Sequence, residues 1–334
     1  MSAPTASPFA SWLASPPPPA AIEISSRRVS AVAVSRRGAS AVITGQSSEP
    51  LAAGVVTPVL NGVNVHDARA LAAAIKAAVE RVSPRPRRAA LVLPDTVAKV
   101  SILRFEKIPA KAQDLEQLIR WQMRKAAPFR VEDAQVSWTE GVALPDGGRE
   151  YLVVVARRDI VESYEQACEA AGVHAGLVDI VSTNLVNAVL ATRADAASGD
   201  WLLVHVAPEY STLAVVRNGQ VIFFRNRPSE GLTQEMGDLV HQTAMYYEDR
   251  LGGASFTRVV LAGASTLGGD AGERARRQIE ERLGARVEPI DVREGITLRD
   301  RISAGPDLLD TLAPAAGALL RDRTTAPRGG ERVA

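Results

Sequence analysis

The chain has 334 residues, of which 46% are hydrophobic and 23% charged, with a formal net charge of +1. These proportions predict a soluble globular protein of two domains, and near-neutrality excludes whole-molecule steering toward nucleic acid or an anionic membrane. No apolar run approaches the roughly 20 residues a membrane span needs, so no direct span is expected and any membrane role goes through a partner. The single cysteine, Cys168, excludes an internal disulfide, and its place on the apolar side of a predicted helix assigns it to core packing. The histidines, His66, His174, His205 and His241, show no metal-ligand spacing, so no metal site is expected.

In chain order, residues 1–20 lack a basic leader region and carry Pro16 to Pro19. They predict a disordered Pro-rich tail rather than a signal peptide, with docking through Phe9 or Trp12 as the alternative. AIEIS and VSAVAV read as two strands around a turn at Ser25 to Arg28, followed by a third strand near Ser40 to Thr44. Leu71, Ile75, Ala78 and Val82 recur at helical spacing after Asp67, a suitable N-cap. Leu91 to Leu93 is a buried strand stopped by Pro94. Residues 96–175 read as an inserted α+β module. It holds a strand at 97–105, a helix with Leu115, Ile119 and Met123 on one face, strands at Val136–Trp138 and Tyr151–Val155, and a helix from Asp159 to Gly172. A strand at Gly176–Ile180 and a helix at Thr183–Ala191 complete the first half.

The second half opens with WLLVHVAPEYSTLAVVRNGQVIFFRNR at 201–227, read as three strands. Asn218-Gly219 marks the second turn, because both hairpin turn residues take positive φ. A long helix with Leu232, Met236, Val240 and Tyr247 follows, then a strand at Val259–Leu261, a charged helix to Leu283, a short strand near Val287 and a last helix over Leu308–Leu320. Strand, turn, strand, strand, helix, buried strand describes both 21–93 and 201–263, a topological echo that predicts two related α/β domains facing across a cleft. The expected domains are 21–95 with 176–198, completed by the 306–321 helix, and 199–305, with a disordered tail over 322–334.

The turn from Ala207 to Ser211 has the setting of a phosphate-wrapping loop. Such a loop needs an Asp to hold a magnesium-bound water and a Gly to let backbone close on phosphate. His205 and Ala207 stand in those places. His205 as a catalytic base is the weaker reading, since no nucleophile accompanies it, and Ser265-Thr266 after Gly263 reads as a turn cap.

The run DLEQLIRWQMRKAAPF, then VEDAQVSW, YLVVVARRDIVESYEQACEAAGVHAGLVDI, VVRNGQVIFFR, Gly231-Leu232-Thr233, VVLAG and AAGALLR, in that order, resembles the PilM family of type IV pilus assembly proteins. The resemblance implies an α/β, actin-like (RNase H-like) two-domain fold with an α+β module inserted in the first domain, related to FtsA and the cytoplasmic part of GspL. It further implies ATP and magnesium in the cleft, a grip on the cytoplasmic tail of a PilN-like inner-membrane protein near the inserted module, and other pilus platform proteins as partners. Residue by residue, the nucleotide positions depart from the family. Asp-Ile-Gly becomes Glu23-Ile24-Ser25 in the first turn, with Ser26 beside it, and His205-Val206-Ala207 in the second, with hydroxyls kept at Ser211 and Thr212. Asp179 and Gly263 remain, Gly231 starts the long helix, and Val181 and Ala264 replace an acid and a glycine. The expectation is therefore a degenerate nucleotide cleft with no cofactor, and retained ATP–magnesium binding through Glu23, Arg27 and Arg28 is the alternative. Arg120, Trp121, Arg124 and Phe129 are the candidate partner-binding residues. The leading function is a cytoplasmic scaffold peripheral to the inner membrane. An ATPase or small-molecule kinase, a filament-forming actin relative, and the equivalent scaffold of a type II secretion system are the rivals.

Overall fold

A computed structural model describes residues 18–37, 40–82, 84–192, 198–228, 236–293, 295–298 and 305–325. Three sheets organise them. The first has six strands in the order β14-β3-β2-β1-β4-β8, where β1 is Ala20–Ile24, β2 Arg28–Arg37, β3 Ser40–Pro50, β4 Arg88–Leu93, β8 His174–Ile180 and β14 Thr297–Leu298. β1 to β3 form an antiparallel meander, while β4 runs parallel to β1 and β8 parallel to β4. The second sheet repeats that plan as β11-β10-β9-β12-β13, with β9 Asp200–Val206, β10 Tyr210–Arg217, β11 Gln220–Pro228, β12 Arg258–Ala262 and β13 Val287–Pro289. Central strands covered on both faces read as continuous apolar runs, and every residue of β1 is buried accordingly.

The helices follow from their periodicity. α1 (Ala68–Glu80) is capped by the Asp67 side chain on the Ala70 N–H and buries Leu71, Ile75, Ala78 and Val79. α2 is Ala112–Ala126, α3 Arg158–Ala170, α4 Val181–Thr192, α5 Met236–Leu251, α6 Ala271–Leu283 and α7 Pro306–Thr325. α4 and α7 lie between the two large sheets. One core joins Ala21, Val32 and Val92 of the first, Leu185 and Ala188 of α4, Leu312 and Ala316 of α7, and Trp201, Leu203 and Val260 of the second. α1 and α3 cover the outer face of the first sheet, and α5 and α6 that of the second. The third sheet, β5-β7-β6 (Ala98–Phe105, Arg149–Arg157, Ala134–Ala143), packs α2 over its own core of Phe105, Ile119, Met123, Tyr151 and Val153.

Three expectations need correction. Residues 297–298, expected in the second half, pair with Val42 and Ile43 of β3 and cover an edge of the first sheet. Residues 322–325, expected in a disordered tail, continue α7. Ala20, expected in the Pro-rich tail, is the first residue of β1, while Gly231 and Leu232, expected at the start of the long helix, lie outside the described residues. The remaining residues of both predicted tails, 1–17 and 326–334, also lie outside. The Asn218-Gly219 hairpin is as predicted, with φ of 50° and 77°.

Candidate functional site

Three turns meet between the two large sheets: Ser25–Arg27 after β1, Ala207–Glu209 after β9, and Gly263–Thr266 after β12. Glu23, Ser25, Ser26, His205, Ala207 and Gly263 line one cavity there, of about 60 Å³. Pockets that take small molecules span ~300–1,000 Å³, so this one has room for water-sized occupants.

In the first turn, the Ser25 hydroxyl oxygen accepts from the amides of Arg27 (3.4 Å) and Arg28 (3.1 Å), and the Ser25 amide donates to the Arg28 carbonyl (2.9 Å). A serine oxygen thus occupies amides that a phosphate-wrapping turn would present to its ligand. Glu23 is buried, and its carboxylate accepts from Arg28 Nη2 at 3.3 and 3.4 Å. Glu23 and Arg28 thus form an ion pair within the protein. Ser26 Oγ donates to Glu209 Oε1 at 2.5 Å, joining the first turn to the second, and Arg27 Nε lies 3.6 Å from the same oxygen. In the second turn the Ala207 amide donates to the Tyr210 carbonyl at 2.9 Å.

The third turn is closed by α7. Asp310 Oδ1 accepts from the Gly263 amide (2.6 Å), and Oδ2 accepts from the Ser265 amide (2.9 Å) and hydroxyl (2.8 Å). Gly263 is required: φ is +83°, and a Cβ would stand 2.0 Å from the Val206 carbonyl oxygen. Thr266 caps the turn on the Gly263 carbonyl, as its position predicts.

Beneath the cavity lies a polar cluster the sequence did not disclose. Asp95, in the 3₁₀ turn Asp95–Val97 after β4, is fully buried. Its carboxylate accepts from the Ser182 amide (2.9 Å), the Ser182 hydroxyl and the Thr212 hydroxyl (2.7 Å), and its amide donates to the Tyr210 hydroxyl (3.3 Å). Asn226 Nδ2 donates in turn to Thr212 (2.8 Å). His205 Nδ1 stands 3.5 Å from Asp95 Oδ2, without a hydrogen bond among the described residues. Burial, then the Asp95 charge, pushes the Tyr210 phenol well above its ordinary range, so it stays neutral.

The remaining predicted residues lie apart. Ser211 is buried within β10. Asp179 accepts from the Ile180 amide and the Thr183 hydroxyl, both at 2.8 Å. Its carboxyl is enclosed although the residue as a whole is half-buried, and that enclosure raises its pKa. Around α2, Arg120 pairs with Glu116 and reaches the Val131 carbonyl, and Arg124 pairs with Glu132, so both brace the segment after the helix. Trp121 is 49% exposed with Lys125 over its ring. Phe129 packs on the module core and borders a separate crevice with Arg157 and Glu162. Arg120, Trp121 and Arg124 are not among the residues that line that crevice.

The larger cavity, about 910 Å³, opens where the inserted module meets the two large sheets. Ala98–Val100 of β5, Phe224–Pro228 of β11 and Val56–Leu60 line it. β5 and β11 are both edge strands of their sheets. Among the described residues no group of three or more acidic, histidine or cysteine side chains could hold a metal, and no helix is long and apolar enough to cross a membrane.

Two meander-plus-parallel sheets around a helix pair, with turns converging on the cleft, define an actin-like fold. A solved PilM–PilN type IV pilus biogenesis complex matches 92% of this chain and 98% of its own at a TM-score of 0.75 and 18% identity. The family model for the type IV pilus assembly protein PilM matches residues 21–250, and the chain belongs to that family. Weaker likenesses are a Bacteroides thetaiotaomicron protein of actin-like ATPase fold (TM-score 0.47, 9% identity, 81% of this chain and 89% of that one) and the Vibrio cholerae cytoplasmic domain of EpsL, an inner-membrane component of type II secretion (0.44, 10%, 72% and 80%). No curated protein matches.

Proposed function

We propose that this chain is a cytoplasmic scaffold of a type IV pilus assembly platform. It grips the short cytoplasmic tail of a PilN-like inner-membrane protein, which tethers it to the membrane, and its nucleotide cleft is degenerate. Family membership and the PilM–PilN complex among its structural likenesses support the setting. The observation that carries the peptide-binding role is the 910 Å³ cavity between β5 and β11. An extended tail gains main-chain hydrogen bonds from an open strand edge and side-chain pockets from Val56, Val59, Leu60 and Phe224. What supports the degenerate cleft is that the amides of Arg27, Arg28, Ala207, Gly263 and Ser265 already have partners within the protein.

The test is calorimetric titration of the full chain with a PilN-like tail peptide, and separately with ATP and magnesium. Leu60→Glu, which places a charge in the cavity wall, is expected to weaken the peptide by about ten-fold or more, and Trp121→Ala far less. The reverse order would move the tail to the flank of α2, where Trp121 is exposed. Absence of binding to any PilN-like tail removes the scaffold reading. Saturable ATP heat at micromolar concentration removes the degenerate-cleft reading.

A further inference from the structure

We propose that the cleft is latched shut by the protein's own carboxylates. Asp95, Glu209 and Asp310 tie together the elements that a bound nucleotide would bridge, so the relative placement of the two large sheets is built in and not induced by a ligand. This rests on the cleft taking no nucleotide.

Each carboxylate links one sheet's elements to the other's. Asp310 belongs to α7, which packs on β1, β2 and β4, and it accepts three hydrogen bonds from the turn after β12 of the second sheet. Asp95 follows β4 of the first sheet, is anchored there by Ser182, and accepts from Thr212 on β10 of the second. Glu209 runs the other way, from the turn after β9 to Ser26 and Arg27 after β1.

Two converging amides beside a positive-φ glycine form a concavity suited to an anion. In the third turn the Asp310 carboxylate is that anion. Charge-assisted hydrogen bonds are about twice as strong as neutral ones, and more so away from water. Asp95 and Asp310 therefore carry the latch. Glu209, 41% exposed against an arginine 68% exposed, adds a weaker tie at the rim. A ligand that bridged the same turns would have to displace Asp310 and Glu209 from their donors, and the displaced charges would need new partners.

The test measures the distance between the two sheet units directly. Val63, 67% exposed, and Met245, 49% exposed on α5, are replaced by cysteine and spin-labelled in the full chain. The native Cys168 is buried and competes little for label. With the latch in place, the unsubstituted cleft gives one narrow distance distribution that ATP and magnesium leave unchanged. The Glu209→Ala, Asp310→Asn double substitution broadens it toward longer distances, and Glu209→Ala alone, at an exposed turn that leaves the core intact, broadens it partially. An unchanged distribution in both variants overturns the latch, as does an unsubstituted cleft that is broad and narrows when ATP is added. The calorimetric ATP titration decides the empty-cleft reading separately, because it reads heat of binding and not distance.

Discussion

Asp95 shows what a single side chain can hold. Its partners sit 87 and 117 positions away, so no local pattern marks it, and it reads in the sequence only as the residue after a strand-ending proline. Asp95→Ala strands the Ser182 amide and the Thr212 hydroxyl in a buried site, and we expect a loss of about 3–5 kcal/mol in urea-induced unfolding. Asp95→Asn, which keeps the shape, is expected to cost less. Cys168, by contrast, was legible. Its burial on the apolar face of α3 pushes the thiol up to about 12, with Glu165 and Glu169 adding to the shift. The unfolded thiol ionises near 9. Between those values the unfolded state binds fewer protons, so stability falls as pH rises. Cys168→Ala removes that term, and its unfolding free energy is expected to decline less steeply over this window, by about 1.4 kcal/mol per pH unit. The cleft residues divide the same way. Ser25, His205 and Ala207 were visible as departures from a pattern, but that Ser25 caps its own turn depends on backbone geometry that composition does not encode.

Among the elements, the α4–α7 pair is the most demanding. Ala188, Ala313, Ala316 and Gly317 let the helices approach closely between the sheets, and a Cβ on Gly317 would stand 1.8 Å from the Asn184 carbonyl oxygen. Because that neighbour is backbone, the helices must part. Gly317→Ala is expected to cost about 2 kcal/mol or more, despite alanine's better helix propensity, and to lower the thermal midpoint by several degrees. The hairpin at Asn218-Gly219 was legible because its turn chemistry is local. β14 was not: two residues carry no periodicity, and only the open edge of β3 gives them a place.

For the whole molecule, the repeated sheet plan was readable from the order of segments, while the closeness of the two units was not, since it depends on one core shared by both sheets. That core should make them unfold together. The inserted module has a smaller core of its own, centred on Tyr151, Ile119 and Met123. Native-state hydrogen exchange is expected to show Tyr151–Val155 opening at a lower free energy than Trp201–Val204, and equal values would contradict the separation. The facing edges of β5 and β11 carry a last consequence, for evolution. Where a partner's tail pairs there as proposed, main-chain pairing does not distinguish one side chain from another, so discrimination among tails would fall to the few positions that enter the cavity. A partner's tail is then free to drift in sequence along most of its length, while substitutions opposite Leu60 and Phe224 should appear only as matched pairs.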